Sequence, residues 1–190
     1  MGGSILYSEF DEQIAKYPDY KSIDTFIETG TYKGDTIHEM SKHFKTCFTF
    51  ELHPTLYNEA MTIGKSLGIN NVNYINGDSV VELPKTIDTC NLNKPCIFFL
   101  DSHVSGRDST YIYAYPVPLL NELEIIANKC KEVMIICIDD VRFFTKADQI
   151  QPFPYDWAHI TIDKINDLFK GRIRESFIQN DRYWLLLDKI

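Results

Sequence analysis

Residues Asp24–Asp35, DTFIETGTYKGD, decide how the rest of the chain is read. The apolar, β-prone run Thr25-Phe26-Ile27 ends at an acid, Glu28, and Gly30 and Gly34 then bracket a polar turn before a helix-like pattern begins. A strand that stops at a glycine turn and feeds a helix lets backbone come close to a ligand and aims the helix's first N–H groups at it. The stretch therefore predicts a strand-turn-helix corner, either plain or built around a nucleotide-like cofactor.

Moving outward, the same grammar repeats. Thr46–Leu52, TCFTFEL, reads as a second buried strand ending at Glu51, and a helix from Pro54 to about Leu67 starts with proline and stops before Gly68. Asn71–Asn76 predicts a third strand, closed by Gly77-Asp78-Ser79 and a helix carrying Val80, Val81, Leu83 and Ile87. Pro95–Leu100 and Val133–Ile138 are continuous apolar runs, the first followed by Asp101 and the second by Asp139-Asp140. Continuous apolar strands separated by helices imply a parallel sheet covered on both faces.

At the ends the pattern changes. Residues 5–18 predict an amphipathic lead-in helix with Ile5, Phe10, Ile14 and Tyr17 on one face, ended at Tyr17-Pro18. A helix is expected over His159–Lys170, then two β-like runs, Arg172–Gln179 and Arg182–Asp188, turning at Asn180-Asp181 without the usual glycine. The expected fold is α/β: a Rossmann-like, mostly parallel seven-stranded sheet closed by an antiparallel C-terminal hairpin. Residues 1–190 read as one domain, with 1–20 as its N-terminal lead-in.

Composition narrows the function classes. The 190 residues are 44% hydrophobic and 24% charged, as in an ordinary globular protein, and the formal charge is −8. Nucleic acid and anionic membrane are recognised through basic surfaces, so the expectation is neither as a partner. Five cysteines, Cys47, Cys90, Cys96, Cys130 and Cys137, form no CxxC pair and read as buried free thiols in a reducing compartment. Because the N-terminus lacks signal-peptide features, Leu6 breaks a myristoylation pattern and no apolar window reaches about 18 residues, a cytoplasmic location is expected.

Acids follow five inferred strands: Glu28, Glu51, Asp78, Asp101 and Asp139-Asp140. In open α/β sheets the ligand crevice lies outside the carboxyl ends of the strands, so these side chains should converge. The competing reading of each is a cap for the helix that follows. Glu51, about 20 residues past the glycine turn, stands where an acid accepts hydrogen bonds from ribose hydroxyls. Asp78-Ser79 is suited to an adenine amine, and Glu28 and the Gly30 turn would lie nearer the reactive end of the cofactor. GxxxxGK[ST] is absent and the turn is acidic on both flanks. Such a turn suits a cofactor bearing an ammonium group, S-adenosylmethionine, better than a pyrophosphate, and the absence of GxGxxG disfavours a nicotinamide cofactor.

These stretches together resemble the class I S-adenosylmethionine-dependent methyltransferases. FIETGTYKG is similar to their first motif, FTFEL to the second strand with its ribose-binding acid, INGDS to the adenine-contacting motif and IFFLDSH to the fourth strand with its edge acid. The resemblance implies cofactor contacts from Glu28, Thr29, Gly30, Thr31, Gly34 and Thr36, from Glu51, Leu52 and His53, from Gly77, Asp78 and Ser79, and from Asp101. Asp101 with Asp139-Asp140 is similar to the metal triad of the cation-dependent, macrocin-type sugar O-methyltransferases. That implies Mg²⁺, with Mn²⁺ and Ca²⁺ serving the same oxygen ligands. Three acids meeting at one point repel unless protonated or bound to a cation; the alternative is that Asp139 caps a strand and Asp140 pairs with Arg142 or another cation.

His103, two residues past Asp101, is the candidate general base, with a structural role as its rival. Ser102–Tyr115 reads as an acceptor loop, in which Tyr111 and Tyr113 offer faces for a sugar or planar ring and Arg107 a partner for an anionic group; Arg142 is placed with them. The expected activity is O-methylation of a small acceptor, a sugar or sugar nucleotide. A catechol-like phenol as acceptor, and a non-catalytic module of the same fold that binds a partner or nucleotide, are the alternatives, and homo-oligomerisation stays open.

Overall fold

The computed structural model describes residues 5–103, 117–145 and 157–190. Helix α1 (Tyr7–Lys16) and a 3₁₀ turn (Pro18–Ser22) lead into β1 (Thr25–Thr29), α2 (Asp35–Met40), β2 (Thr46–Glu51), α3 (Pro54–Ser66), β3 (Val72–Asn76), α4 (Ser79–Thr89) and β4 (Cys96–Leu100). Then come α5 (Leu119–Lys129), β5 (Met134–Ile138), α6 (Arg142–Thr145), α7 (Ile162–Leu168), β6 (Ile173–Gln179) and β7 (Arg182–Leu187). The seven strands form one sheet in the order β3-β2-β1-β4-β5-β7-β6. Strands β1 to β5 are parallel, and β7 runs antiparallel to both β5 and β6.

The continuous apolar strands are explained by two cores, one on each face of the sheet. Successive side chains in a strand point to opposite faces, and the register aligns them in rows. Phe48, Ile27, Phe98, Ile136 and Leu185 stand side by side across five strands and face Leu83 and Ile87 of α4, Leu123 and Ile126 of α5 and Ile165 of α7. One residue earlier, or later on β7, Cys47, Phe26, Ile97, Ile135 and Leu186 form the opposite row, covered by Phe10 of α1 and Ile37 and Met40 of α2. Phe10 makes edge-on contacts with Phe26, Phe99 and Trp184, so α1 closes the middle of the sheet.

The hairpin between β6 and β7 turns without glycine because Asn180 (φ 53°) and Asp181 (φ 60°) both take the left-handed conformation. Asn and Asp tolerate it better than other side chains, and Asp181 Oδ1 also accepts from the Arg142 N–H at 3.1 Å. Several expected boundaries move. The last helix spans Ile162–Leu168 rather than His159–Lys170, and the helix after the glycine turn ends at Met40, before the buried Phe44. Four of the five cysteines are buried as expected, whereas Cys90, at the end of α4, is exposed. No helix among the described residues is long and apolar enough to cross a membrane.

Candidate active site

Strand order reverses between β1 and β4, which puts the crevice at the carboxyl ends of these two strands. Gly30 lies there with φ +89°, and a Cβ on it would run into the Asp101 carbonyl. Its N–H and that of Thr31 donate to Phe50 O at 3.0 and 3.1 Å. This glycine is therefore required chiefly for the close passage of the β1 turn against the β4 turn, and its N–H is spent on β2. Gly34, also at φ +89°, begins α2, where a Cβ would lie 2.6 Å from the His38 ring. Thr36 is buried on α2.

The three earlier acids have distinct local roles. Glu28 is buried and accepts from Thr49 Oγ1 at 2.7 Å, and Thr49 Oγ1 lies 2.5 Å from Thr31 Oγ1. Burial pushes the Glu28 carboxyl well above its usual range, against the Thr49 hydrogen bond and with help from the charges of Asp101 and Glu51. Glu51 accepts from the backbone N–H of Tyr32 and of His53, both at 2.8 Å. It thus ties the β1 turn at Tyr32 to the β2 turn at His53, and burial raises its carboxyl in spite of those two bonds. Each carboxylate oxygen has a further lone pair for a ribose hydroxyl. Asp78 and His53 are helix caps, accepting from Val80 N–H at 2.9 Å and Thr55 N–H at 3.1 Å. Gly77 follows β3 and donates to Glu51 O at 3.0 Å, and Ser79 is buried at the start of α4.

On the β4–β5 side, His103 bridges two carboxylates. Its Nδ1 lies 3.5 Å from Asp101 Oδ1 and its Nε2 2.9 Å from Asp140 Oδ2. Burial alone would lower the imidazole, but the Asp140 hydrogen bond and the charges of Asp101, Asp140 and Asp139 raise it above its ordinary value. Burial foremost, with repulsion from Asp139 and Asp140, pushes Asp101 up to about 7 against the pull of His103. Asp140, although burial acts to raise it, is held below its usual range by His103 and Arg142. The Phe143 and Trp157 rings stand edge-on to the imidazole at 5.9 and 5.2 Å between centroids.

Two expected assignments change. Asp139 does not join the cluster; its Oδ1 lies 3.3 Å from Arg182 Nε. Adjacent residues beyond a strand point to opposite sides, and the left-handed conformation of Asp140 (φ 58°) turns the chain there. Arg142 is held by Asp140, at 2.5 Å, and by Asp181, as the alternative reading of Asp140 anticipated. The donor atoms of Asp101, His103 and Asp140 all lie within 4.8 Å of one another, a set of two carboxylate oxygens and an imidazole nitrogen that fits a divalent cation. Arg107, Tyr111 and Tyr113 lie outside the described residues.

Sequence reasoning passed over Glu122, which is 1% exposed on α5 and accepts from Ser102 Oγ at 2.5 Å. Its signal was available: an acid inside the apolar stripe Leu119, Leu123, Ile126. Arg182 was also missed, having no local pattern to mark it.

Comparison with known proteins agrees with this geometry. A family profile described as "Putative methyltransferase" matches residues 22–109. The O-methyltransferase TomG from Streptomyces achromogenes, solved in complex with SAM, superposes with a TM-score of 0.63 at 13% identity over 98% of this chain and 82% of its own. A Clostridium thermocellum protein described as a "putative rRNA-methylase" superposes at 0.61, 14% identical over 100% of both chains. No curated protein matches the sequence. The sheet order, the crevice and these superpositions together identify the fold as that of the class I methyltransferases.

Proposed function

We propose that the protein is an S-adenosylmethionine-dependent O-methyltransferase acting on a hydroxyl of a small acceptor, a sugar or sugar nucleotide. The observation that supports this is the approach of the Gly30 turn, to which the cofactor is assigned in this reading, to Asp101 of the Asp101–His103–Asp140 cluster. Glu51 would hold the ribose, and Gly77, Asp78 and Ser79 would border the adenine. Held there, S-adenosylmethionine would supply an electrophilic methyl group to an acceptor oxygen whose proton passes to the protein, the products being the methyl ether and S-adenosylhomocysteine.

His103 is the base in this scheme. Asp140 accepts from Nε2–H and stabilises the imidazolium, which leaves Nδ1, on the Asp101 side, to take the acceptor's proton. Mg²⁺, Mn²⁺ or Ca²⁺ bound through Asp101 and Asp140 would polarise the hydroxyl as a Lewis acid. In that case His103 is either a third ligand or the base, because one imidazole nitrogen cannot be both.

Calorimetry with S-adenosylhomocysteine tests the cofactor, with Glu51→Ala expected to weaken binding about tenfold, the scale of losing a charge-assisted hydrogen bond. Transfer of a labelled methyl group to nucleotide sugars, free sugars and catechol, with chelator or added Mg²⁺, tests acceptor and metal. Since one structural neighbour is described as an rRNA-methylase, structured RNA belongs in the same panel, although the −8 charge disfavours it. Absence of S-adenosylhomocysteine binding overturns the proposal, and turnover unchanged by chelator removes the metal from it.

A further inference from the structure

Helices α2 and α3 both pack on β2, and the side chain that joins them is His38. It is 7% exposed on α2, and its Nε2 lies 3.1 Å from Ala60 O of α3 and 2.9 Å from Tyr74 Oη of β3. Both tautomers keep the ring tied: as N–H, Nε2 donates to Ala60 O, and as a bare nitrogen it accepts from the Tyr74 hydroxyl. Two glycines make room for the pair. A Cβ on Gly34, at the head of α2, would lie 2.6 Å from Cε1 and 2.9 Å from Nε2 of this ring. A Cβ on Gly64 of α3 would overlap the Tyr74 hydroxyl and stand 3.1 Å from His38 Nε2. The buried residues of α3 are Ala60 and Gly64, both small. Such residues bury little apolar area, so the polar contact carries more of the helix's seating.

We infer that His38 is a positioning residue of the cofactor site, one that holds the turn after β1 at a fixed distance from α3. The inference rests on the cofactor reading proposed above. Gly34 closes that turn, and the His38 backbone N–H donates to Gly34 O at 2.9 Å. Helix α3 begins at Pro54, directly after Glu51, Leu52 and His53, which that reading gives to the cofactor. At the crevice Glu51 joins these two walls by accepting from the N–H groups of Tyr32 and His53. His38 joins them a second time, farther along both helices. Walls joined at one point can pivot about it, whereas a second tie sets the gap between them before the ligand arrives. His38 touches no ligand in this arrangement; it acts through Gly34, Ala60 and Tyr74.

The test is calorimetry with S-adenosylhomocysteine on protein that circular dichroism shows to be folded, because a purely structural residue leaves the affinity of folded molecules unchanged. His38→Leu removes both contacts of the ring and should weaken binding about tenfold, the upper scale of a net hydrogen bond. His38→Gln, whose amide N–H reaches toward the same oxygens, should stay within about threefold of the wild type. Adding Tyr74→Phe to His38→Leu should cause no further loss, since the hydroxyl acts through the ring. Wild-type affinity in folded His38→Leu overturns the inference and leaves the cofactor reading standing. Wild-type protein that takes up no S-adenosylhomocysteine overturns both. Should His38→Leu fail to fold, Tyr74→Phe decides, since it removes one oxygen and keeps the ring: several-fold weaker binding supports the tie, and unchanged affinity overturns it.

Discussion

Arg182 Nε stands 3.3 Å from Asp139 Oδ1, and this pairing divides two adjacent carboxylates between two tasks. Arg182 also reaches Glu9 of α1 at 3.1 Å, so Asp139 belongs to a buried ionic link between β5, β7 and α1. Asp140, one residue on, is left to His103 and Arg142.

Removing that guanidinium leaves Asp139 and Glu9 without it. Arg182→Met should lower stability by about 3 kcal/mol, the scale of breaking a buried ion pair on one side. Urea denaturation followed by tryptophan fluorescence reports it, since Trp184 lies fully buried on β7. A loss below about 1 kcal/mol would mean that solvent replaces Arg182 at little cost.

The His103–Asp140 contact makes a prediction with a definite sign. His103 is raised in the fold, so its contribution to stability is complete below its unfolded value of about 6.5 and disappears as pH rises through the folded value. Asp140→Asn removes one negative charge and leaves only a neutral acceptor for Nε2–H, so the lowering effect of burial gains weight and the His103 midpoint should fall. Proton NMR of the imidazole Cε1–H in metal-free buffer measures it; an unmoved midpoint would separate the two groups in solution.

Asp101 acts in the same direction over a different window. With its carboxyl pushed up to about 7 by burial and by its acidic neighbours, the fold holds a proton that the unfolded chain releases near 4, so stability should fall as pH rises between those values. Asp101→Asn should flatten that slope in metal-free denaturation curves. A slope equal to wild type would assign the effect elsewhere.

Gly30→Ala meets two obstacles at once, a positive φ and the Asp101 backbone. The expected loss is at least about 2 kcal/mol, measured by denaturation, together with loss of cofactor binding. Gly68 (φ +74°) has open space around it, so Gly68→Ala controls for conformation alone and should cost about 1 kcal/mol.

Cysteine reactivity checks the packing independently. Only Cys90 is exposed, while Cys96 and Cys137 are buried and raised well above the usual thiol range by desolvation. Ellman's reagent should therefore react quickly with one thiol in the native protein and with five after unfolding. Two or more fast thiols would indicate that β4 or β5 opens readily.

The fold was legible because its information is periodic. Runs such as Cys96–Leu100 and Met134–Ile138 are apolar at every position, and that alone implies burial on both faces. The hairpin at Asn180-Asp181 could be read despite its missing glycine because both residues accept a positive φ. The site was legible only as a row of acids. Which of Asp139 and Asp140 faces His103 depends on a local left-handed turn and on an arginine 42 or 43 positions downstream, and no local pattern encodes that. Asp78 and His53 show the converse, since their sequence signals fit a ligand and a helix cap equally and the geometry realises the cap. Glu122 needed the third dimension, because its partner Ser102 lies 20 positions away in the chain.

The passage of Gly30 against Asp101 has a mechanical meaning. A single hydrogen atom, where any other residue would carry a carbon, is the shim between the turn assigned to the methyl donor and the edge assigned to the acceptor. Two loops with so little clearance cannot drift independently, so a sideways displacement of either is passed to the other. In the proposed reaction, alignment between donor and acceptor would then be a property of one joint in the backbone, set when the sheet forms.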